Sequence, residues 1–185
     1  MKDNIAQRAK EFAELMHKGQ KRKDGIPFIT HPAGVVKILK REGISDERTI
    51  SIAWLHDTIE DTVAEYEDLE KEFGKEIADR VYILSRNISR EEYKARIKNS
   101  DYVVKVVKLA DTLHNVHNPY SMCYLSPAGI QRKIVDCRLF YIPLAMDVFP
   151  ILGYMLKKSI DNYLKIFGGN TDEDTRNFRT QQPTG

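Results

Sequence analysis

His56 and Asp57 stand side by side in Ala53-Trp-Leu-His-Asp-Thr-Ile-Glu-Asp-Thr62, an imidazole next to a carboxylate in a largely apolar stretch. A metal ion is the best use for such a pair. If the stretch is helical, His56 and Glu60 are four residues apart, as are Asp57 and Asp61, so all four side chains leave from a limited sector of one helix. Further candidate ligands flank it: His31 in Thr30-His31-Pro32 and Asp111 in Lys108-Leu-Ala-Asp-Thr-Leu-His-Asn115. Two imidazoles and two carboxylates suit a borderline or hard first-row metal. Singly, each residue has a plainer use, since His31 can cap a helix and Asp111 can be solvated on one. Jointly they do not, because burying so many carboxylates without a cation or basic partners is costly.

Helices must position these groups. Ile5, Ala9, Phe12, Ala13 and Met16 follow a three-four rhythm, as do Val35, Val36, Ile38 and Leu39 after Pro32, which suits a first helical turn. Ser45-Asp46-Glu47 reads as a helix start before Ile50, Ile52, Ala53 and Leu55. Phe73-Gly74 marks a break, followed by a helix through Ile77, Val81 and Leu84. Longer helices are expected over Tyr102 to Val116 and from about Pro127 to Ala145. No stretch alternates as a strand would, and no internal repeat is present, so the fold class is all-α. The stretch from Gly168 to Gly185 lacks a core-forming pattern and reads as a flexible C-terminal tail after a domain of residues 1–167.

The run Lys21-Arg-Lys-Asp-Gly-Ile-Pro-Phe28 has the composition of a turn, and such runs are usually solvated loops. Here it precedes His31, so Arg22 and Lys23 are brought beside whatever the metal binds, and an arginine there can grip phosphate oxygens or stack on a base. A polyanionic substrate with a planar ring is expected. His114 and Asn115 share the helix face of Asp111. Asn115 offers a donor and an acceptor for a base or ribose, whereas His114 reads as a core residue or a support to a ligand. His17 and His117 read as structural or surface residues.

The chain's 185 residues match one ordinary domain with a real core. A formal charge of +2, from 29 basic and 27 acidic residues, gives no general case for nucleic acid or membrane binding. Cys123 and Cys137 form no Cys-x-x-Cys pair, the N-terminus is too polar for a signal peptide, and no apolar run reaches membrane-spanning length. The expected compartment is the cytoplasm. A homo-oligomer is compatible with these features.

The order His31, His56-Asp57, Asp111 resembles the HD phosphohydrolase superfamily, and the flanking text resembles the hydrolase domain of the Rel/Spo alarmone enzymes. The matching pieces are His17-Lys-Gly-Gln20, Arg22-Lys-Asp-Gly25, Pro27-Phe-Ile-Thr-His-Pro32, Leu55-His-Asp-Thr-Ile-Glu-Asp-Thr62, Phe73-Gly74, Val107-Lys-Leu-Ala-Asp-Thr-Leu-His-Asn115 and Phe140-Tyr-Ile-Pro-Leu-Ala145, spanning roughly residues 5 to 145. The resemblance implies a compact multi-helix HD-domain bundle holding one Mn2+ per chain on His31, His56, Asp57 and Asp111. It also implies water activation and positioning by Glu60 and Asp61, packing of Arg22 and Lys23 against guanine and its sugar, a nucleoside contact from Asn115, and a pocket-lining Tyr141. The implied reaction is hydrolysis of the 3′-diphosphate of guanosine tetra- or pentaphosphate to GDP or GTP and pyrophosphate, with either Glu60 or Asp61 as the base.

The chain departs from the long enzymes in three ways. It ends soon after the helical domain, as a small alarmone hydrolase without synthesis activity would. Ser85-Arg-Asn-Ile-Ser-Arg-Glu-Glu-Tyr93 differs from their pattern, and His117 stands where they tend to carry arginine. Both regions are expected near the far phosphates, with Arg86, Arg90 or Lys94 as substitutes. Other readings are an HD phosphatase on another phosphorylated nucleotide, such as the 2′-phosphate of NADPH or a nucleoside monophosphate, and a nucleotide-sensing module without turnover. The Glu60-Asp61 pair argues against a pure sensor.

Overall fold

The computed structural model describes residues 4–117, 122 and 124–167. The expected tail at 168–185 and Cys123 lie outside the described residues. The described chain is helical: α1 (Ile5–Met16), α2 (Thr30–Arg41), α3 (Glu47–Leu55), α4 (Thr58–Asp61), α5 (Tyr66–Phe73), α6 (Lys75–Leu84), α7 (Arg90–Asn99), α8 (Tyr102–His117), α9 (Pro127–Asp136), a π-helical segment (Cys137–Tyr141), α10 (Ile142–Val148) and α11 (Pro150–Phe167). Among the described residues no strand forms, and the one isolated bridge joins Lys21 to Pro27.

Local chemistry sets the boundaries. Asn4 caps α1 by accepting from Gln7 N–H, Asp46 caps α3 through Thr49 N–H, and Ser126 caps α9 through Gly129 N–H with Pro127 behind it. Gly74, at φ 81°, takes the left-handed conformation that separates α5 from α6.

Two helices expected to be continuous are not. The first breaks at the His-Asp pair itself: α3 ends at Leu55, Asp57 has φ −102° and ψ −3°, and α4 begins at Thr58. The Thr58 hydroxyl donates to the Leu55 carbonyl at 2.7 Å, a local side-chain bond that competes with the helical ladder. The four chemical side chains therefore leave from a turn and the short helix after it, not from one helical face. The second, from Pro127 onward, passes through the π segment, where Ile142 N–H reaches back to the Cys137 carbonyl. Pro143, just beyond, has no N–H to offer the preceding turn, which favours such a shift of register.

Helix α8 is the axis of the core. It packs against α2 and α11, with further contacts to α3, α6, α7 and α10. Leu109 and Leu113 on it, and Leu152 and Leu156 on α11, are fully buried, each stabilising the fold by about 1.5–3 kcal/mol through burial. In this apolar setting Asp111 is itself buried. No described helix is long and apolar enough to cross a membrane.

Candidate functional site

Two helices and a turn converge on one cluster: α2 brings His31 in its first turn, the α3–α4 turn brings His56 and Asp57, and the middle of α8 brings Asp111. His31, His56 and Asp111 each offer a ligand atom, all within 4.8 Å of one another. His31 Nε2 lies 3.2 Å from His56 Nε2 and 3.1 Å from Asp111 Oδ1, and His56 Nε2 lies 3.9 Å from the same oxygen. Asp57 Oδ2 adjoins the group, 3.1 Å from His56 Nε2 and 3.3 Å from His31 Nε2. Donor atoms bound at about 2.1 Å in neighbouring positions around one ion stand roughly 3.0–3.4 Å apart. The spacing and the nitrogen-oxygen set therefore fit a divalent cation.

The charges are interdependent. Burial works against a charged His56, but the Asp57 and Asp111 carboxylates outweigh it and raise its pKa to about 9. Burial likewise opposes the charges of Asp57 and Asp111, and both are nevertheless held below the usual carboxylate range, Asp57 by His56 and His31, and Asp111 by Lys108 and the same imidazoles. The His56 ring is oriented by its Nδ1, 2.7 Å from the Ala53 carbonyl, which leaves Nε2 facing the cluster.

Asp111 is braced from within α8. Lys108 donates to its Oδ2 at 2.7 Å and lies over the Tyr93 ring, while the Asn115 amide donates to its Oδ1 at 2.6 Å. The Asn115 carbonyl oxygen in turn accepts from Arg22 at 3.3 Å. Asn115, expected as a nucleoside contact, thus couples Asp111 to the basic loop.

That loop is ordered. Phe28 N–H donates to the Gln20 carbonyl and Arg22 N–H to that of Ile26, while Gly25 turns the chain at φ 83°. His17, read as structural, is buried beneath it, stacked on Phe28 and 2.6 Å from Gln20 Oε1 through Nδ1. Arg22 and Lys23 consequently line a cavity of about 850 Å3 that includes His31, Asp57, Asp111, Glu60, Asp61, Asn115 and Tyr141 in its wall.

Glu60 and Asp61 sit at the exposed edge of that cavity and differ in bonding. Glu60 Oε2 accepts the Arg86 backbone N–H at 2.7 Å. Asp61 has no such side-chain bond among the described residues, and partial burial together with the nearby charges of Asp57 and Glu60 pushes its carboxyl up to about 6. Tyr141, reached through the π segment, is buried, and burial raises its phenol to about 12.

Of the substitutes expected near the far phosphates, Arg86, Arg90 and Lys94 do line the cavity, but Arg90 and Lys94 both pair with Asp136. His117 is exposed at the end of α8 and is not in the cavity wall. Two basic residues were not anticipated. Lys108 stands three residues before Asp111, a spacing that signals a helical pair. Lys133 has no such signal: it lines the cavity from α9, burial lowers its pKa, and it has no hydrogen bond or ion pair among the described residues.

A family model described as "HD domain" matches residues 9–146. A GTP pyrophosphokinase from Streptomyces coelicolor is 38% identical over 149 residues, covering 75% of this chain and 17% of that protein. The bifunctional (p)ppGpp synthase/hydrolase SpoT of Escherichia coli is 36% identical over 141 residues, 70% of this chain and 20% of that one. A guanosine-3′,5′-bis(diphosphate) 3′-pyrophosphohydrolase from Danio rerio is 39% identical over 116 residues, 58% of this chain and 64% of its own. The chain thus spans about a fifth of the length of the long relatives and under two thirds of the fish protein. Among solved structures, a metazoan ortholog of SpoT described as hydrolysing ppGpp superimposes with a TM-score of 0.69 at 24% identity, over 91% of this chain and 98% of that one.

Proposed function

The chain belongs to the HD-domain family, and we propose that it is a divalent-metal hydrolase that removes the 3′-diphosphate of guanosine tetra- or pentaphosphate, releasing GDP or GTP and pyrophosphate. The observation that carries this reading is the buried His31–His56–Asp111 group with Asp57 beside it, opening into a cavity rimmed by cations. The activities for which the fish and Escherichia coli relatives are named support the choice of substrate.

His31, His56, Asp57 and Asp111 would hold one Mn2+. Bound there, a divalent cation supplies Lewis acidity, polarising a phosphoryl oxygen and making hydroxide accessible near neutral pH. The protein's own groups do the rest. Asp61, whose carboxyl titrates near 6, takes the proton from the attacking water, since a base poised close to the working pH is the effective one. Glu60, fixed by the Arg86 amide, orients that water. Arg22 and Lys23 hold the guanine nucleoside with Asn115, and Tyr141 lines the pocket. Arg86 and Lys133 offset charge on the diphosphate as it leaves, while Arg90 and Lys94 are held at the same wall by Asp136. We assign the hydrolase domain to residues 1–167 and the protein to the cytoplasm.

The test is incubation of metal-stripped protein with guanosine tetraphosphate, with and without manganese, followed by anion-exchange separation. Manganese-dependent GDP and pyrophosphate are expected. Bound manganese without turnover would overturn the substrate and direct attention to other phosphorylated nucleotides.

A further inference from the structure

His31 shows its two ring nitrogens to different neighbours. Nε2 faces Asp111, His56 and Asp57, whereas Nδ1 lies 2.8 Å from Nδ1 of His114. A neutral imidazole carries its proton on one nitrogen and its free lone pair on the other, so the partner at Nδ1 decides what Nε2 can offer.

His114 reaches His31 across the only glycine of α2. A Cβ at Gly34 would stand 2.1 Å from His114 Nε2 and 2.2 Å from its Cδ2, far inside any real contact. A helix-interior glycine costs about 1 kcal/mol relative to alanine, and no positive φ calls for glycine at this position. What Gly34 supplies is space for the ring.

We propose that His114 is a positioning residue that fixes the orientation and tautomer of His31, and that Gly34 is the notch that admits it. The inference rests on the reading of His31 as a metal ligand. His114 Nδ1 accepts the proton of His31 Nδ1, and the His31 Nε2 lone pair is then directed at the cluster. Without that acceptor the His31 proton is free to settle on Nε2, where it would donate to Asp111 or Asp57 and occupy the ligand position. His56 meets the same requirement through the Ala53 carbonyl; His31 has an imidazole for the purpose. Groups that orient a metal-bound histidine in this way typically govern 10–100-fold in affinity.

The test measures Mn2+ affinity by electron paramagnetic resonance of the free ion, with folding followed by circular dichroism, for the full chain and its His114→Phe, His114→Gln and Gly34→Ala variants. His114→Phe is expected to weaken Mn2+ binding about 10–100-fold. His114→Gln, whose amide oxygen can accept the same proton, restores most of that loss, and Gly34→Ala reproduces it by displacing the ring. Wild-type affinity in His114→Phe overturns the proposal by showing that the ring only fills space, as does equal weakening by Phe and Gln, which would show that an acceptor for the His31 proton does not matter. If His114→Phe does not fold, the contrast between His114→Gln and Gly34→Ala decides in the same way. A wild-type protein that binds Mn2+ without cleaving guanosine tetraphosphate removes the substrate reading and leaves this one standing, whereas one that binds no Mn2+ removes both.

Discussion

Glu60 Oε2 accepts the backbone N–H of Arg86 at 2.7 Å, tying the short α4 helix to the loop between α6 and α7. The loop is held from its other side by Arg96, which donates to the Ser85 carbonyl. One carboxylate thus has two duties in the proposed mechanism, orienting water and anchoring the segment that carries Arg86 to the cavity. Replacement by glutamine keeps an oxygen that can accept the amide, and replacement by alanine does not. Both variants are expected to bind Mn2+ as the wild type does and to lose most turnover. Hydrogen exchange separates them: the Arg86 amide stays protected in Glu60→Gln and exchanges faster in Glu60→Ala. Equal protection in the two would sever the link between Glu60 and the loop.

Asp57→Ala is expected to abolish metal binding and turnover together. Its carboxylate lies against both imidazoles of the cluster, so the variant loses a proposed ligand at the centre of the group. Calorimetric titration with Mn2+ should show a loss beyond the roughly 100-fold that groups merely orienting a ligand account for. Near-normal affinity would remove Asp57 from the ligand set.

Residue chemistry and the family pattern together grouped His31, His56, Asp57 and Asp111, and helical spacing added the shared face of Asp111 and Asn115. Both signals concern residues close in sequence or bound by a common pattern. The break at His56-Asp57 escaped because a threonine hydroxyl bonding to a carbonyl three residues back leaves no trace in apolar periodicity. The pairing of Arg90 and Lys94 with Asp136 joins residues more than forty positions apart, which spacing rules do not reach. Helix α11 was legible in principle, since Leu152, Leu156, Ile160 and Tyr163 recur at three and four and are all buried.

Asp61 sets a pH dependence. An unfolded aspartate loses its proton near 3.8, whereas in the folded chain partial burial, Asp57 and Glu60 hold that proton until about 6. The stability this group contributes is therefore full below about pH 4 and lost as pH rises through 6. Asp61→Asn has no charge to acquire. In protein stripped of metal, its melting temperature should gain on that of the wild type between pH 4.5 and 7.5. A constant difference across that range would mean that the Asp61 carboxyl is not raised.

Arg22 is placed by its bond to Asn115 and by a loop that Gly25 closes. Arg22→Ala should weaken nucleotide binding by about tenfold or more, the loss of charge-assisted hydrogen bonds, while Mn2+ affinity changes little. Paired titrations with Mn2+ and with guanosine tetraphosphate plus a catalytically silent Glu60→Gln background measure the two separately. Unchanged nucleotide affinity would return the basic run to an ordinary solvated loop.

Lys133 tests whether the far wall of the cavity is built for an anion. It is drawn inward enough for burial to lower its pKa, and no carboxylate of the described residues is bonded to it, whereas Arg90 and Lys94 are already satisfied by Asp136. A partly buried cation without a partner costs the free protein on the order of 1 kcal/mol. Such a cost is understandable if a phosphate group completes the pairing. Lys133→Met keeps the length and removes the charge, so it should raise the melting temperature of the free protein while lowering its affinity for pyrophosphate. A variant that melts lower and binds pyrophosphate normally would make Lys133 a packing residue and leave the anion to Arg86 and Arg132 at the same wall.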